Sequence, residues 1–214
     1  RPVRNMQKKE YSVEIGGKKI FAIFSDLTDQ ASGSVIVKCG ETSILATAVM
    51  GRKDKEGYDY FPLVVDYEEK FYAAGKILGG QFIRREGRPS DEAILTGRVI
   101  DRTIRPLFEP YIRRDVQIVI TALSIDDAND PDVLSVLGAS LAIATSNIPW
   151  NGPVSGIRVV VDANGETKIN ASYAEREGAK LDAVVCGKDG KINMIETEAK
   201  EVSEDHMKKV FADA

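Results

Sequence analysis

Short runs rich in Val, Ile, Phe and Thr, separated by glycine-bearing turns, fill the opening part of the chain. Residues 11–15, 19–24, 34–38 and 43–50 read as β-strands. Gly16 and Gly17 between the first two read as a tight hairpin turn. After a polar loop over 52–59, residues 61–67 form a further strand. The alternation then stops. Residues 72–90 carry glycines at 75, 79, 80 and 87 and no clean period, which reads as a long loop of the kind that often carries function. Ser90 caps a following helix, with Asp91 and Glu92 in its first turn. Pro106 disfavours helical geometry at Arg105, so the helix ends near residue 104. Ile94, Leu95, Val99 and Ile100 supply its apolar face. Arg98, Arg102 and Arg105, spaced i, i+4, i+7, share another face.

Residues 116–124 are a strand, and Asp130 followed by Pro131 marks a helix start. The helix 132–146 is apolar nearly all round and rich in small residues (Gly138, Ala139, Ser140, Ala142, Ala144), which predicts a central buried helix with close backbone contacts. Residues 154–162, 168–170, 181–187 and 192–196 read as strands of a second sheet. Asn164-Gly165 and Asp189-Gly190 serve as hairpin turns. Ser203 caps a last helix over 203–214. That helix lacks a stop signal, so the chain is expected to be cut inside it. With no internal repeat, the pattern gives one mixed α/β (α+β) domain over 1–214, with mixed sheets packed on a buried small-residue helix.

Composition narrows the chemistry. With 43% apolar and 29% charged residues among 214, the chain is globular rather than disordered or fibrous. No apolar run approaches the roughly 18 residues of a membrane span, and no basic-then-apolar leader is present. Cys39 and Cys186 sit far apart in apolar runs and read as buried thiols of a reducing, cytoplasmic protein. The one histidine, His206, reads as an exposed helix residue. Chemistry therefore falls to carboxylates, arginines, hydroxyls or backbone.

The net charge of −4 argues against a generic nucleic-acid binder, but charge is unevenly spread. Nine basic against five acidic residues between Lys76 and Arg114 leave +4 there and −8 elsewhere. Eight of the thirteen arginines lie in this window, a focused anion site on an acidic protein. In the loop 82–88, Arg84, Arg85 and Arg88 suit phosphates and Phe82 suits a stacked base; a solvated loop with Phe82 tucked into the core is the other reading. The stripe Arg98, Arg102 and Arg105 suits an anion pocket, or a surface ion-paired through Asp101. Asp126, Asp127, Asp130 and Asp132 admit an Mg²⁺ site or a turn plus helix cap, and the clear helix start favours the second. Glu175, Glu177 and Asp182 are acid–base or metal candidates, with a solvated segment the favoured reading.

Three stretches carry a resemblance: FPLVVDYEEKFYAAG from residue 61, YAAGKILGGQFIRREGRPSDEAILTGRVIDRTIRPLF from residue 72, and NDPDVLSVLGASLAIATSNIPWNGPVSGIRV from residue 129. In length and order they resemble the first RNase PH-like core domain of the bacterial polynucleotide phosphorylase family, over nearly the whole chain. The resemblance implies an RNase PH-like fold. It also implies a part in a phosphate-dependent 3′-to-5′ exoribonuclease of mRNA degradation, which releases nucleoside diphosphates. The implied partners are single-stranded RNA, a homotrimeric ring with a central channel, and a second RNase PH-like domain in the same parent. The family's channel loop corresponds to Phe82, Ile83, Arg84 and Arg85, where Ile83 replaces an aromatic and removes a stacking face.

Active domains of this kind cradle phosphate just before the buried helix, where this chain has Asp130, Pro131 and Asp132. They also place two aspartates where a gap-free match puts Ala174 and Lys180. The resemblance therefore implies no catalytic residue, metal or cofactor in this domain, with Mg²⁺ and inorganic phosphate bound by the parent's second core domain. Two alternatives stay open: a stand-alone phosphorolytic nuclease of RNase PH type, and a purely structural ring-assembly domain.

Overall fold

The computed structural model describes residues 7–77, 79 and 87–214. The early alternation folds as read. Lys8–Ile15 (β1), Lys18–Ser25 (β2), Gly33–Cys39 (β3) and Thr42–Met50 (β4) form an antiparallel meander. Gly16 and Gly17 take φ of 60° and 73° in the two-residue turn between β1 and β2, a conformation that glycine adopts without a Cβ penalty. Leu63–Glu68 (β5) and Val116–Ser124 (β6) complete a six-stranded sheet in the order β1-β2-β3-β4-β6-β5. β5 runs parallel to β6, and the chain between them includes the helix Asp91–Ile104 (α1), the long crossover that parallel strands require.

Ser155–Val161 (β7), Thr167–Ile169 (β8), Leu181–Lys188 (β9) and Lys191–Ala199 (β10) form the second sheet, in the order β10-β9-β7-β8 and antiparallel throughout. The helix Pro131–Ala144 (α2) lies between the two sheets. Gly138 faces the first sheet so closely that a Cβ there would meet Ile44 Cδ1 at 2.6 Å. On the other side, Ser140 Oγ accepts the Val154 N–H, and Val136 lies against Gly156 of β7. Coverage on both sides explains why α2 is apolar all round. The outer face of the second sheet is covered by Glu204–Asp213 (α4), where Val210 packs with Val159, Val161, Leu181, Ala183 and Val185.

The caps also form as read. Ser90 Oγ accepts from Ala93 N, Asp130 from Asp132 N, and Ser203 Oγ from His206 N. Cys39 and Cys186 are buried free thiols, and burial raises both pKa values.

Three readings need correction, and one short element was not foreseen. Ile94 and Leu95 are 44% and 52% exposed, because α1 buries Ala93, Thr96, Gly97, Val99, Ile100, Thr103 and Ile104 instead. The loop after β5 opens with a 3₁₀ turn at Phe71–Ala74. A short helix, Tyr173–Arg176 (α3), lies in the segment read as solvated, where Glu175 and Glu177 are exposed as read. His206 is half-buried rather than exposed, since α4 packs on the second sheet.

Candidate functional site

The structure describes only part of the two arginine groups of the sequence. Phe82, Ile83, Arg84 and Arg85 lie outside the described residues. Arg88 and the α1 stripe lie within them, and Arg88 is exposed.

The stripe is graded along its length. Arg105 is committed to structure: Nε and Nη2 donate to the two oxygens of Asp101 at 2.9 and 2.6 Å, and Nη2 and Nη1 donate to the carbonyls of Leu63 and Phe61 at 3.1 and 3.4 Å. It ties the end of α1 to the start of β5. Arg102 is looser. Its Nη2 meets Glu196 of β10 at 3.4 Å with both side chains about half exposed, and its Nε donates to the Arg98 carbonyl at 3.3 Å. Such a pair is worth roughly 0–1 kcal/mol and yields readily to a competing anion. Arg98 is exposed, and among the described residues its guanidinium has no ion-pair partner. Asp101, expected to reach Arg98 or Arg105, pairs with Arg105. The stripe therefore offers Arg98 and Arg102 to an anion and withholds Arg105.

The acidic candidates meet a second group that the sequence reading did not foresee. Arg158 on β7 points toward α2, opposite the Val159 and Val161 side, and is 8% exposed. Its Nε lies 2.7 Å from Asp130 Oδ2, though its N–H is not aimed along a hydrogen bond. Nη1 donates to Asp182 at 2.8 Å, and Nη2 lies 3.4 Å from Asp132. Arg176 of α3 donates to Asp182 through Nε at 2.7 Å and to Asp130 through Nη1 at 3.0 Å. Thr96 of α1 donates to Asp132 at 2.7 Å. Burial, with the Asp130 carboxylate alongside, pushes Asp132 up to about 6, against the pull of Thr96, Arg158 and Arg176. Burial works against charge on Arg158, but Asp130 and Asp182 outweigh it and hold the guanidinium protonated. Burial and nearby carboxylates also keep Tyr67 and Tyr173 neutral.

This corrects the reading of Asp182 as solvated. Asp130 caps α2 as expected, and it also anchors the ion cluster. Glu175 is exposed and makes the capping box of α3; bonds from the Ser172 N–H and hydroxyl hold it down to about 2. Asp126 accepts from the N–H groups of Glu41, Thr42, Ala128 and Asn129, the turn foreseen for it. One sequence signal for the cluster was available: a lone arginine inside a valine-rich strand is buried only when it is paired.

The α2 N-terminus does not fit Mg²⁺ or phosphate. Each cluster carboxylate already faces a guanidinium, which would repel a cation. The Asp132 N–H is taken by Asp130, and an entering anion would meet three carboxylates. The adjoining cavity, lined by Lys18, Asn129, Asp130 and Arg158 among others, measures about 20 Å³, room for one water. Ala174 and Lys180 bring no carboxylate to it.

Residues 16–149 match the model described as 3′ exoribonuclease family, domain 1. The chain is 46% identical over 200 residues to a polyribonucleotide nucleotidyltransferase of Exiguobacterium sibiricum, covering 94% of the chain and 27% of that relative. It is 48% identical over 196 residues to one of Thermomicrobium roseum, covering 92% and 25%. The chain thus spans about a quarter of the length of these curated relatives. In fold it is similar to Rrp46 of rice (Oryza sativa), with TM-score 0.68, 13% identity and coverage of 99% and 88%. It is also similar to a chain of the Archaeoglobus fulgidus exosome with RNA bound to the active site, with TM-score 0.64, 17% identity and coverage of 97% and 83%.

Proposed function

The chain belongs to the 3′ exoribonuclease family, domain 1, and on that premise we propose that it is the RNA-gripping, ring-forming first core domain of a phosphate-dependent 3′-to-5′ exoribonuclease. On this reading the domain spans 1–214 and grips single-stranded RNA through Phe82, Arg84, Arg85 and Arg88, with Arg98 and Arg102 adding phosphate contacts. It holds no catalytic residue. A second RNase PH-like domain of the same parent binds Mg²⁺ and orthophosphate, three subunits close a ring, and the enzyme works on mRNA in the cytoplasm.

The observation that carries the reading is the contrast between the arginine sets. Arg158 and Arg176 are buried or half-buried and spent on internal carboxylates, where an active site would need open anion and metal positions. Arg98 and Arg102 stay at the surface, on the helix that follows the arginine-rich loop. The curated relatives named polyribonucleotide nucleotidyltransferase support it, as does the RNA-bound exosome of like fold.

Incubating the 214-residue chain with RNA and orthophosphate tests the reading. The expected result is binding without release of nucleoside diphosphate. Phosphate-dependent release by this chain alone would overturn it in favour of a stand-alone nuclease.

A further inference from the structure

The cluster at the α2 N-terminus has an uneven balance. Three carboxylates, Asp130, Asp132 and Asp182, face two guanidiniums, Arg158 and Arg176, so full ionisation leaves one negative charge in surplus. The side chains of Asp130, Arg158 and Asp182 are 9%, 10% and 19% exposed, and that of Asp132, the most open of the three carboxylates, is 31% exposed, so water reaches the surplus charge only in part. A surplus charge in such a place is removed by binding a proton.

The contacts show where the proton belongs. Asp130 has guanidinium nitrogens at 2.7 and 3.0 Å, and Asp182 at 2.8 and 2.7 Å. Asp132 has one, at 3.4 Å. The groups that bear on Asp132 from the surrounding elements are Asp130 on its own helix, Arg158 from β7, Arg176 and Tyr173 from α3, Tyr67 from β5 and the Thr96 hydroxyl from α1. None of these is a third cation; Lys18 of β2 lines the cavity beside Asp130 and Arg158, with its Nζ donating to the Ala128 carbonyl at 3.2 Å, and among the described residues it forms no ion pair with the three carboxylates. Asp132 is the least compensated of the three carboxylates.

The cluster is also a joint. Asp130, Asp132 and Thr96 belong to the helices packed on the first sheet, while Arg158, Asp182 and Arg176 belong to the second sheet and its short helix. We propose that this joint takes up one proton as the chain folds, seated on Asp132, so that the second sheet is held more firmly to α1 and α2 on mild acidification. The upward shift of Asp132 by burial agrees with this.

The sign follows from linkage. The folded value of about 6 lies above the unfolded 3.8, so the folded chain holds the extra proton between them. The stabilisation is complete below the unfolded value and is lost as pH rises through the folded one.

Urea unfolding of the 214-residue chain at about pH 5 and about pH 7.5 tests the proposal, with Asp132→Asn as the comparison. The carboxamide balances the cluster at every pH. In the wild type the unfolding constant should rise about tenfold more between the two pH values than in Asp132→Asn. Parallel profiles overturn the proposal. Should Asp132→Asn not fold, Asp182→Asn also balances the cluster and should show the same loss of pH dependence; a wild-type-like step there overturns the proposal as well. Carboxyl-carbon NMR of the wild type reads the proton directly. One buried aspartate titrating above about pH 5 supports the proposal, and all three titrating below their ordinary value overturns it.

Discussion

Arg158 on β7 and Asp182 on β9 sit one diagonal step apart on adjacent antiparallel strands, and Arg158 Nη1 donates to Asp182 Oδ1 at 2.8 Å. The same guanidinium reaches Asp130 at the start of α2 at 2.7 Å. One side chain therefore crosses from the second sheet to the central helix. Arg158→Met keeps much of the volume, leaves Asp132 with no guanidinium in contact and leaves Asp130 and Asp182 to share Arg176. It should lower stability by about 3–5 kcal/mol, the cost of unpairing a buried charge, as read by urea unfolding at neutral pH. A loss within about 0.5 kcal/mol, as for a surface substitution, would show that the cluster holds nothing together.

The graded α1 stripe separates binding from folding. Each phosphate contact to single-stranded nucleic acid adds about 0.7 to the slope of log affinity against log salt. Arg98→Ala and Arg102→Ala should each make the slope shallower by about that amount and leave the melting temperature nearly unchanged. Arg105→Ala should do the reverse, with an unaltered slope and a stability loss of about 1 kcal/mol from its lost bonds to Asp101, Phe61 and Leu63. Fluorescence-anisotropy titrations at several salt concentrations, beside thermal melts, check both halves.

Asp126 predicts an acid limb. Burial opposes its charge, but bonds from the Asn129 side chain and from the Ala128, Asn129 and Glu41 N–H groups hold the carboxyl well below its ordinary 3.8. A folded value below the unfolded one gives stability present above about 3.8 and lost as pH falls below it. Asp126→Asn should cost about 1–3 kcal/mol at neutral pH and flatten the loss of stability below about pH 4. Melting curves from neutral pH into the acid range show whether the two proteins converge.

Local pattern carried much of the fold. The turn at Gly16-Gly17, the caps at Ser90, Asp130 and Ser203, and the all-round apolar α2 are each written within a few consecutive residues, where propensity and capping chemistry act. What escaped is non-local. Asp130, Arg158, Arg176 and Asp182 come from separate elements, and nothing near any one of them names its partners. Ile94 and Leu95 show the same limit from the other side: periodicity says that a face is apolar, and only the packed sheet says whether that face is covered. The helix Tyr173–Arg176 is a single capped turn, too short to leave a period. For the candidate site, the sequence placed Arg98, Arg102 and Arg105 on one face correctly. That Arg105 is spent on Asp101 and two β5-side carbonyls required the tertiary position of residues 61–63.

On the proposed function, guanidinium groups within and beyond residues 82–88 hold an RNA strand. The most direct test is the salt dependence of RNA binding by the 214-residue chain, wild type against Arg84→Ala/Arg85→Ala. Loss of two phosphate contacts predicts a slope shallower by about 1.4, with the melting temperature preserved. An unchanged slope in the folded double variant would show that Arg84 and Arg85 do not hold RNA phosphates.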